Sequence, residues 1–168
     1  MRNLILLAAA AALSACGAAG DEAGEGAAEA RAAPGEVAAD AAAGAEWRRI
    51  SVDGGSALVF GHGRDRPLAA LRCDVQLESL LIERMTVKPA SGVDTMSVRA
   101  GDERERLPII WDGASLPVAT ATVRLEDRLA DGLTRLGGTI EIELKGEPKL
   151  SLPPDRRIGT LIEECRQA

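Results

Sequence analysis

The residue types that carry most enzyme chemistry are scarce in this chain. Its 168 residues include one histidine, three cysteines and no tyrosine. The histidine, His62, has a glycine on each side, and such small neighbours would let a ligand approach the backbone. Asp65 or Asp74 could orient its ring for general-base catalysis. A solvated loop histidine accounts for the same pattern, so a hydrolase that uses His62 is the weaker interpretation.

Other catalytic motifs are missing from the sequence. No serine stands in a G-x-S-x-G elbow, and the glycine pairs at 54–55 and 137–138 lack the lysine or helix of a phosphate-binding loop. One histidine and no free cysteine, once the cysteines are lipidated or cross-linked as argued below, also exclude the usual zinc ligand sets. We therefore predict that the protein is not an enzyme, holds no metal and needs no cofactor.

The charge of the chain excludes one further class of function. Its 20 lysines and arginines face 26 acids, which gives a net charge of -6 at pH 7. Proteins that bind nucleic acid by neutralising phosphates need a cationic surface. We expect no nucleic-acid partner.

The first 16 residues combine a basic start, an apolar run and a cysteine. Arg2 precedes an apolar run that is too short to span a bilayer and is typical of a secretory signal peptide. The four residues Leu13-Ser14-Ala15-Cys16 resemble the bacterial lipobox, in which signal peptidase II cuts before a cysteine that already carries a diacylglyceryl group. We predict a signal peptide at 1–15 and a lipidated Cys16. The alternative is an ordinary signal peptide with an accidental cysteine.

Lipidation of Cys16 would make the membrane a partner of the protein. Each buried methylene of an acyl chain contributes about 0.8 kcal/mol, so two or three chains give durable attachment. Gly17 and Ala18 follow the cysteine where an aspartate would resemble the inner-membrane retention signal of enteric lipoproteins. We therefore expect the protein at the outer membrane, facing the periplasm.

The next segment has the composition of a linker. Residues 17–46 hold seven acids, one base and almost no bulky side chains, and alanine supplies 20 of the first 46 residues. Such a segment cannot bury enough apolar surface to offset its conformational entropy. We predict a disordered tether at 16–46 and one folded domain at 47–168, where 19 acids and 18 bases nearly cancel.

From Trp47 onward, short apolar runs alternate with polar residues at a period of two. In the run at 140–145, for example, isoleucine and leucine alternate with glutamate and lysine. Further strand candidates are 47–52, 57–61, 68–74, 80–87, 95–99, 106–111, 118–125 and 150–152. These candidates recur about every ten residues, a spacing that predicts a mainly β fold with an antiparallel sandwich or barrel-like sheet.

Two segments follow a helical period instead. Leucines at 125, 129, 133 and 136, closed by a glycine pair, predict a short helix near 127–136. After Pro153-Pro154, apolar residues at 158, 161, 162 and 165 form one stripe. This stripe predicts a C-terminal amphipathic helix that packs on the sheet.

The cysteines indicate a cross-link. If lipidation uses Cys16, then Cys73 and Cys165 remain, and an exported protein meets an oxidising compartment. A disulfide between them would close a loop that the chain-entropy model values at roughly 4 to 5 kcal/mol. Two buried free thiols are the alternative. A catalytic pair is disfavoured because no C-x-x-C spacing exists.

Five short motifs between residues 57 and 166 resemble a family of uncharacterised exported proteins of alphaproteobacteria, especially of sphingomonads. They are Leu71-Arg72-Cys73-Asp74, DRLADGL at 127–133, IEIE at 140–143, PKLSLP at 148–153 and LIEECR at 161–166. The resemblance implies a disulfide between Cys73 and Cys165 and implies no activity. The chain departs from the family at Asp155, where members tend to have tryptophan. A looser similarity of layout, strands followed by a cysteine-bearing helix, links it to the invasion-associated locus B proteins and concerns the fold alone.

These observations favour a lipid-anchored, non-enzymatic binding or interaction module in the periplasm. The ligand is left open by the sequence, and a periplasmic protein is one candidate partner. An alternative is an inhibitor of a cell-wall hydrolase such as lysozyme, although the C-terminal strand motif of the known membrane-bound inhibitors is missing. The hydrolase based on His62 ranks last.

Overall fold

The computed structural model describes residues 42–53, 55–86, 92–112 and 117–168. These residues form nine strands and two helices. The strands are β1 (Glu46–Val52), β2 (Gly55–His62), β3 (Arg66–Asp74), β4 (Ser79–Met85), β5 (Thr95–Ala100), β6 (Glu103–Asp112), β7 (Val118–Arg124), β8 (Ile140–Leu144) and β9 (Leu150–Leu152). The helices are α1 (Arg128–Thr134) and α2 (Arg156–Gln167).

All strands lie in one antiparallel sheet, in the order β1-β2-β3-β4-β7-β6-β5-β8-β9. The sheet curls into a half-barrel, which confirms the predicted mainly β, barrel-like class. Strand β6 makes the corner: its residues up to Pro108 pair with β5, and those from Ile109 pair with β7. At the two ends of the sheet, the indole Nε1 of Trp47 donates to the carbonyl of Pro153 at 2.9 Å. This bond joins β1 to the residue that follows β9.

Alternation places the core on the inner face of the half-barrel. In β8 the side chains of Ile140, Ile142 and Leu144 are buried, and the two glutamates between them are half-buried. The same pattern recurs in β5 and β7, since successive side chains of a strand point to opposite faces. The inner side chains of all the strands join those of both helices in one cluster.

Helix α2 covers the inner face of β2, β3 and β4. It begins after Asp155, whose carboxylate accepts from the backbone N–H of Arg157 at 2.8 Å and so caps the helix. Its predicted stripe is buried: Ile158, Leu161, Ile162 and Cys165 all face the sheet. The prediction of a C-terminal amphipathic helix packed on the sheet is confirmed.

Helix α1 differs from its prediction at one end. The leucines at 125, 129 and 133 are buried as expected, whereas Leu136 is 60% exposed. The helix ends at Thr134 because Arg135 is already extended, and the glycine pair lies beyond it. A Cβ on Gly138 would lie 3.0 Å from the Cα of Gly101, in the turn after β5. A glycine at position 138 therefore lets the chain pass close to this turn before it enters β8.

Several predictions concern residues outside the described ranges. The signal peptide at 1–15, lipidation of Cys16 and nearly all of the tether at 16–46 belong to this group, and the domain boundary at residue 47 stays a prediction. Neither helix of the described residues has both the length and the apolar character needed to cross a membrane.

Candidate functional site

The strands β2, β3 and β4 bury apolar side chains on both of their faces. On the inner face, Leu58, Phe60 and Leu71 pack beneath α2. On the outer face, Ala57, Val59, Ala70 and Leu81 are buried as well. Antiparallel sheets commonly keep one face apolar and the other polar. The outer face of these strands departs from that pattern and is therefore a candidate binding surface.

A groove of about 480 Å³ runs across this outer face, within the usual range of small-molecule sites. We call it the outer groove. It is lined by Arg48, Ile50, Val52, Ala57, Val59, Arg64, Pro67, Ala70, Arg72, Glu83 and Met85. The part of its lining that the structure describes contains no cysteine, histidine or serine.

The register of the strands explains the shape of the groove. Val59 pairs with Arg48 on one side and Ala70 on the other, and Ala57 pairs with Ile50 and Arg72. Alanines at 57 and 70 are shorter than the side chains beside them. The centre of the face is therefore lower than its flanks, and apolar atoms form the floor.

Charged side chains stand around this floor. The guanidinium of Arg72 lies 3.0 Å from Glu83 Oε1, so these two charges neutralise each other across β3 and β4. Arg48 donates through Nη2 to the carbonyl of Gly63, and its buried Nε has no hydrogen-bond partner among the described residues. Arg64 is exposed in the turn between β2 and β3. The described residues of the lining include three arginines and one glutamate, which give a net charge of +2.

His62 and the two aspartates considered with it are not brought together. His62 is the last residue of β2 and pairs with Arg66, at the start of β3. Asp74 is the last residue of β3, eight residues from Arg66 or about 26 Å along the strand. Its Oδ1 accepts from the backbone N–H groups of Gln76 and Leu77, each at 3.1 Å. The expectation that Asp74 could orient His62 is wrong, and Asp74 serves the turn after β3.

No group of three or more potential metal ligands occurs in the parts of the chain that the structure describes. Asp65 lies in the same turn as Arg64, close in sequence to His62. Of Asp65 and Asp74, only Asp65 therefore lies near His62.

The structure brings Cys73 and Cys165 together. Their sulfur atoms are at disulfide-bonding distance and their Cα atoms are 5.6 Å apart, as a disulfide needs. Cys165 is buried on the inner face of α2, and Cys73 lies in β3 opposite Leu80. The pair attaches the last turn of the C-terminal helix to the sheet.

A second, polar depression lies beside this cross-link. Val75, Glu78, Leu125, Glu126, Asp131, Cys165, Arg166 and Ala168 line it. Arg166 lies 2.7 Å from Asp131 and 2.9 Å from Glu163, and its bond to Asp131 raises the pKa of the guanidinium above its ordinary value. These charges are paired within the protein, so this depression is a weaker candidate than the outer groove.

Arg84 is a buried charge that the sequence analysis missed. It is 7% exposed and projects from the inner face of β4 across the half-barrel. Its Nη1 donates to the carbonyl of Ile142 at 3.0 Å and its Nη2 to that of Pro148 at 2.6 Å. Burial lowers the pKa of Arg84, opposed in part by Glu147. The signal was present in the sequence, since period-two alternation puts residue 84 on the same face as Ile82.

Comparison with family models, with curated proteins and with solved structures finds no match for this chain. The resemblance to the alphaproteobacterial family therefore stays a prediction. The function has to be argued from the residues and the geometry.

Proposed function

We propose that this chain is a membrane-anchored lipoprotein of the bacterial cell envelope that acts as a non-enzymatic binding module, and that the outer groove is its binding site. One observation carries the proposal: an apolar groove with arginines around it lies on the sheet face opposite the main core cluster. The core already occupies the opposite face of the same strands.

The other half of the same sheet provides an internal comparison. Ion pairs lie on its outer face across β5, β6 and β8, with Arg99 2.8 Å from Glu141 and Arg104 2.8 Å from Glu143. Folding of an antiparallel sheet is satisfied by such a polar outer face. Apolar residues at the corresponding positions of β2 and β3, such as Val59 and Ala70, are therefore better explained by a ligand than by folding.

The cellular setting of the proposal comes from the sequence. The lipobox-like residues that end at Cys16 support an acyl anchor, and the composition of 17–46 supports a flexible tether. A flexible tether of this length has a root-mean-square span on the order of 30 Å. An anchored domain on such a tether would sample ligands in the periplasm close to the membrane.

Site-specific photo-cross-linking in cells tests the binding site. A photoreactive residue in place of Ile50, which lines the groove, should capture a ligand of defined mass. The matched position is Ile110, which is 75% exposed on the outer face of β6 and lies outside the groove lining. An adduct at position 50 that is missing at position 110 supports the proposal.

Two results would contradict it. Equal adducts at positions 50 and 110, or none at position 50 with efficient activation of the photoreactive group, would show that the groove is not a selective site. An adduct at either position with a cell-wall hydrolase would support the inhibitor alternative instead.

A further inference from the structure

We propose that the outer groove binds a single aliphatic chain that ends in an anionic headgroup, a carboxylate or a phosphate. This inference rests on the proposed function, because it names the ligand class of the same groove. Three properties of the groove lead to it: its uncompensated positive charge, the engaged backbone of its floor and its size.

Two arginines in the described part of the lining have no acid beside them there. Glu83 is the only acid among the described lining residues and pairs with Arg72, which leaves Arg48 and Arg64 uncompensated within that set. The domain as a whole is close to neutral, so this local excess is a property of the groove. Guanidinium groups bind carboxylates and phosphates through charge-assisted hydrogen bonds. The headgroup should therefore be an anion.

The hydrogen-bonded backbone of the floor favours an aliphatic chain over an acidic peptide as the ligand. The floor belongs to β2 and β3, and each of these strands is hydrogen-bonded to a neighbour on both sides. A peptide bound over these two strands would lay its own N–H and C=O groups on apolar side chains, because the free edge of β1 lies beside the floor and not on it. Leaving such groups unpaired and dehydrated is costly. An aliphatic chain has no polar groups to satisfy.

The size of the groove suits a single aliphatic chain better than the surface of a larger ligand. The groove holds about 480 Å³ and crosses the four strands from β1 to β4, a width of about 14 Å. The apolar side chains of Ile50, Ala57, Val59 and Ala70 are contiguous in two neighbouring rows of the register. The first row runs from Arg48 through Val59 to Ala70, and the second runs from Ile50 through Ala57 to Arg72. An arginine therefore lies at one end of each row. A narrow apolar ligand with one charged end matches this layout.

Photoaffinity labelling of the full chain in neutral phosphatidylcholine nanodiscs tests the inference. The probes are decyl phosphate and decanol, each with the same diazirine in the alkyl chain, so they differ in the headgroup alone. We expect decyl phosphate to label peptides from β1 to β4 at about tenfold lower concentration than decanol does. Unlabelled decanoate should compete with the phosphate probe, whereas a water-soluble peptide of alternating alanine and glutamate should not.

Three variants locate the contacts. Arg64→Ala removes an exposed side chain that makes no hydrogen bond or ion pair within the described residues, and should weaken labelling by decyl phosphate about fivefold while labelling by decanol is unchanged. Arg124→Ala, on a side chain 70% exposed outside the groove, is the matched control and should change neither. Ala70→Val fills the floor with a residue that suits a strand and should weaken labelling by both probes.

The outcomes distinguish the two proposals. Equal labelling of the groove by both probes, or no effect of Arg64→Ala, would overturn the anionic headgroup and leave the groove as a binding site. Stronger competition by the acidic peptide than by decanoate would overturn the aliphatic chain. Failure of every probe to label the groove would overturn this inference, and the cross-linking test at position 50 would then decide the proposed function separately.

Discussion

At the scale of single residues, the buried guanidinium of Arg84 holds two distant parts of the chain together. It belongs to β4, and its two carbonyl acceptors belong to β8 and to the turn that leads into β9. These strands are far apart in the order of the sheet, so the side chain bridges the interior of the half-barrel. Its burial has a cost in desolvation, which the lowered pKa reflects and which the two hydrogen bonds offset.

We expect Arg84→Ala to lower the free energy of unfolding by about 2 to 4 kcal/mol. The change leaves a cavity and removes the donor of two carbonyls, that of Ile142, where the bond is buried, and that of Pro148, where it is partly buried. Urea unfolding followed by tryptophan fluorescence measures the effect. Arg104→Ala, which removes an exposed ion pair with Glu143, is the control and should cost less than about 1 kcal/mol. Similar losses for the two variants would show that Arg84 does not bridge the interior.

Asp155 provides a residue-scale effect that depends on pH. The side-chain hydrogen bond from Arg157 lowers the pKa of the Asp155 carboxyl below its ordinary value, and the backbone hydrogen bond that caps α2 adds to this. A folded-state pKa below the unfolded value of about 3.9 stabilises the fold above that value. The stabilisation is then lost as the pH falls through the folded-state pKa.

We therefore expect the wild type to be more stable than Asp155→Asn near neutral pH, and the difference to shrink as the pH falls from 5 to 2. Asparagine is also a good N-cap, so the variant removes the charge and keeps the cap. Urea midpoints of both proteins at several pH values provide the measurement. A difference that stays constant over this range would mean that the charge of Asp155 has no part in it.

At the scale of elements, α2 is held to the sheet by its apolar stripe and by the cysteine pair near its end. The two cysteines are 92 residues apart in sequence, so the cross-link closes a long loop. A long loop gains most from closure in the chain-entropy model, which gives roughly 4 to 5 kcal/mol as an upper value. The three remaining contacts of the stripe are aliphatic and come from Ile158, Leu161 and Ile162.

We expect Cys165→Ala to lower the unfolding midpoint and to speed hydrogen exchange in α2 while the strands keep their protection. Cys73→Ala should have a similar effect, and the double variant should cost little more than either single one, since the three share one lost cross-link. The unreduced native protein should have no free thiol at these positions. Full alkylation of both cysteines without reductant would refute the cross-link.

At the scale of the whole molecule, the two halves of the sheet have different outer faces. The half formed by β5, β6 and β8 is covered with ion pairs, and the half formed by β1 to β4 carries the outer groove. Both halves share one inner core, so side chains packed beneath β2 and β3 support the floor of the groove.

The membrane anchor is a prediction for the whole molecule, since it decides where the groove is presented. We expect the wild type to incorporate labelled palmitate and to fractionate with membranes, because residues 13–16 match the lipobox. Cys16→Ser should take up no label and stay as an uncleaved precursor. Cleavage of the wild type at another site, without label, would rule out the lipoprotein.

Local patterns in the sequence predicted most of the elements. The alternation in β8 and the stripe in α2 are visible in the sequence because the period of the side chains is set by the backbone geometry of a strand or a helix. The same reasoning put Cys73 on a strand and Cys165 on the buried face of a helix. It failed at Leu136, which is exposed because α1 ends at Thr134 and Arg135 is already extended.

Strand order and the two faces of the sheet were decided by the tertiary structure alone. Sequence periodicity does not show that β7 lies between β4 and β6, so it could not show that Arg84 reaches Ile142. It also treats Ala57 and Ala70 as small residues of two separate strands. They form the floor of one groove only because the register places them as diagonal neighbours on the outer face. Pairing between strands is a long-range interaction that no local pattern encodes.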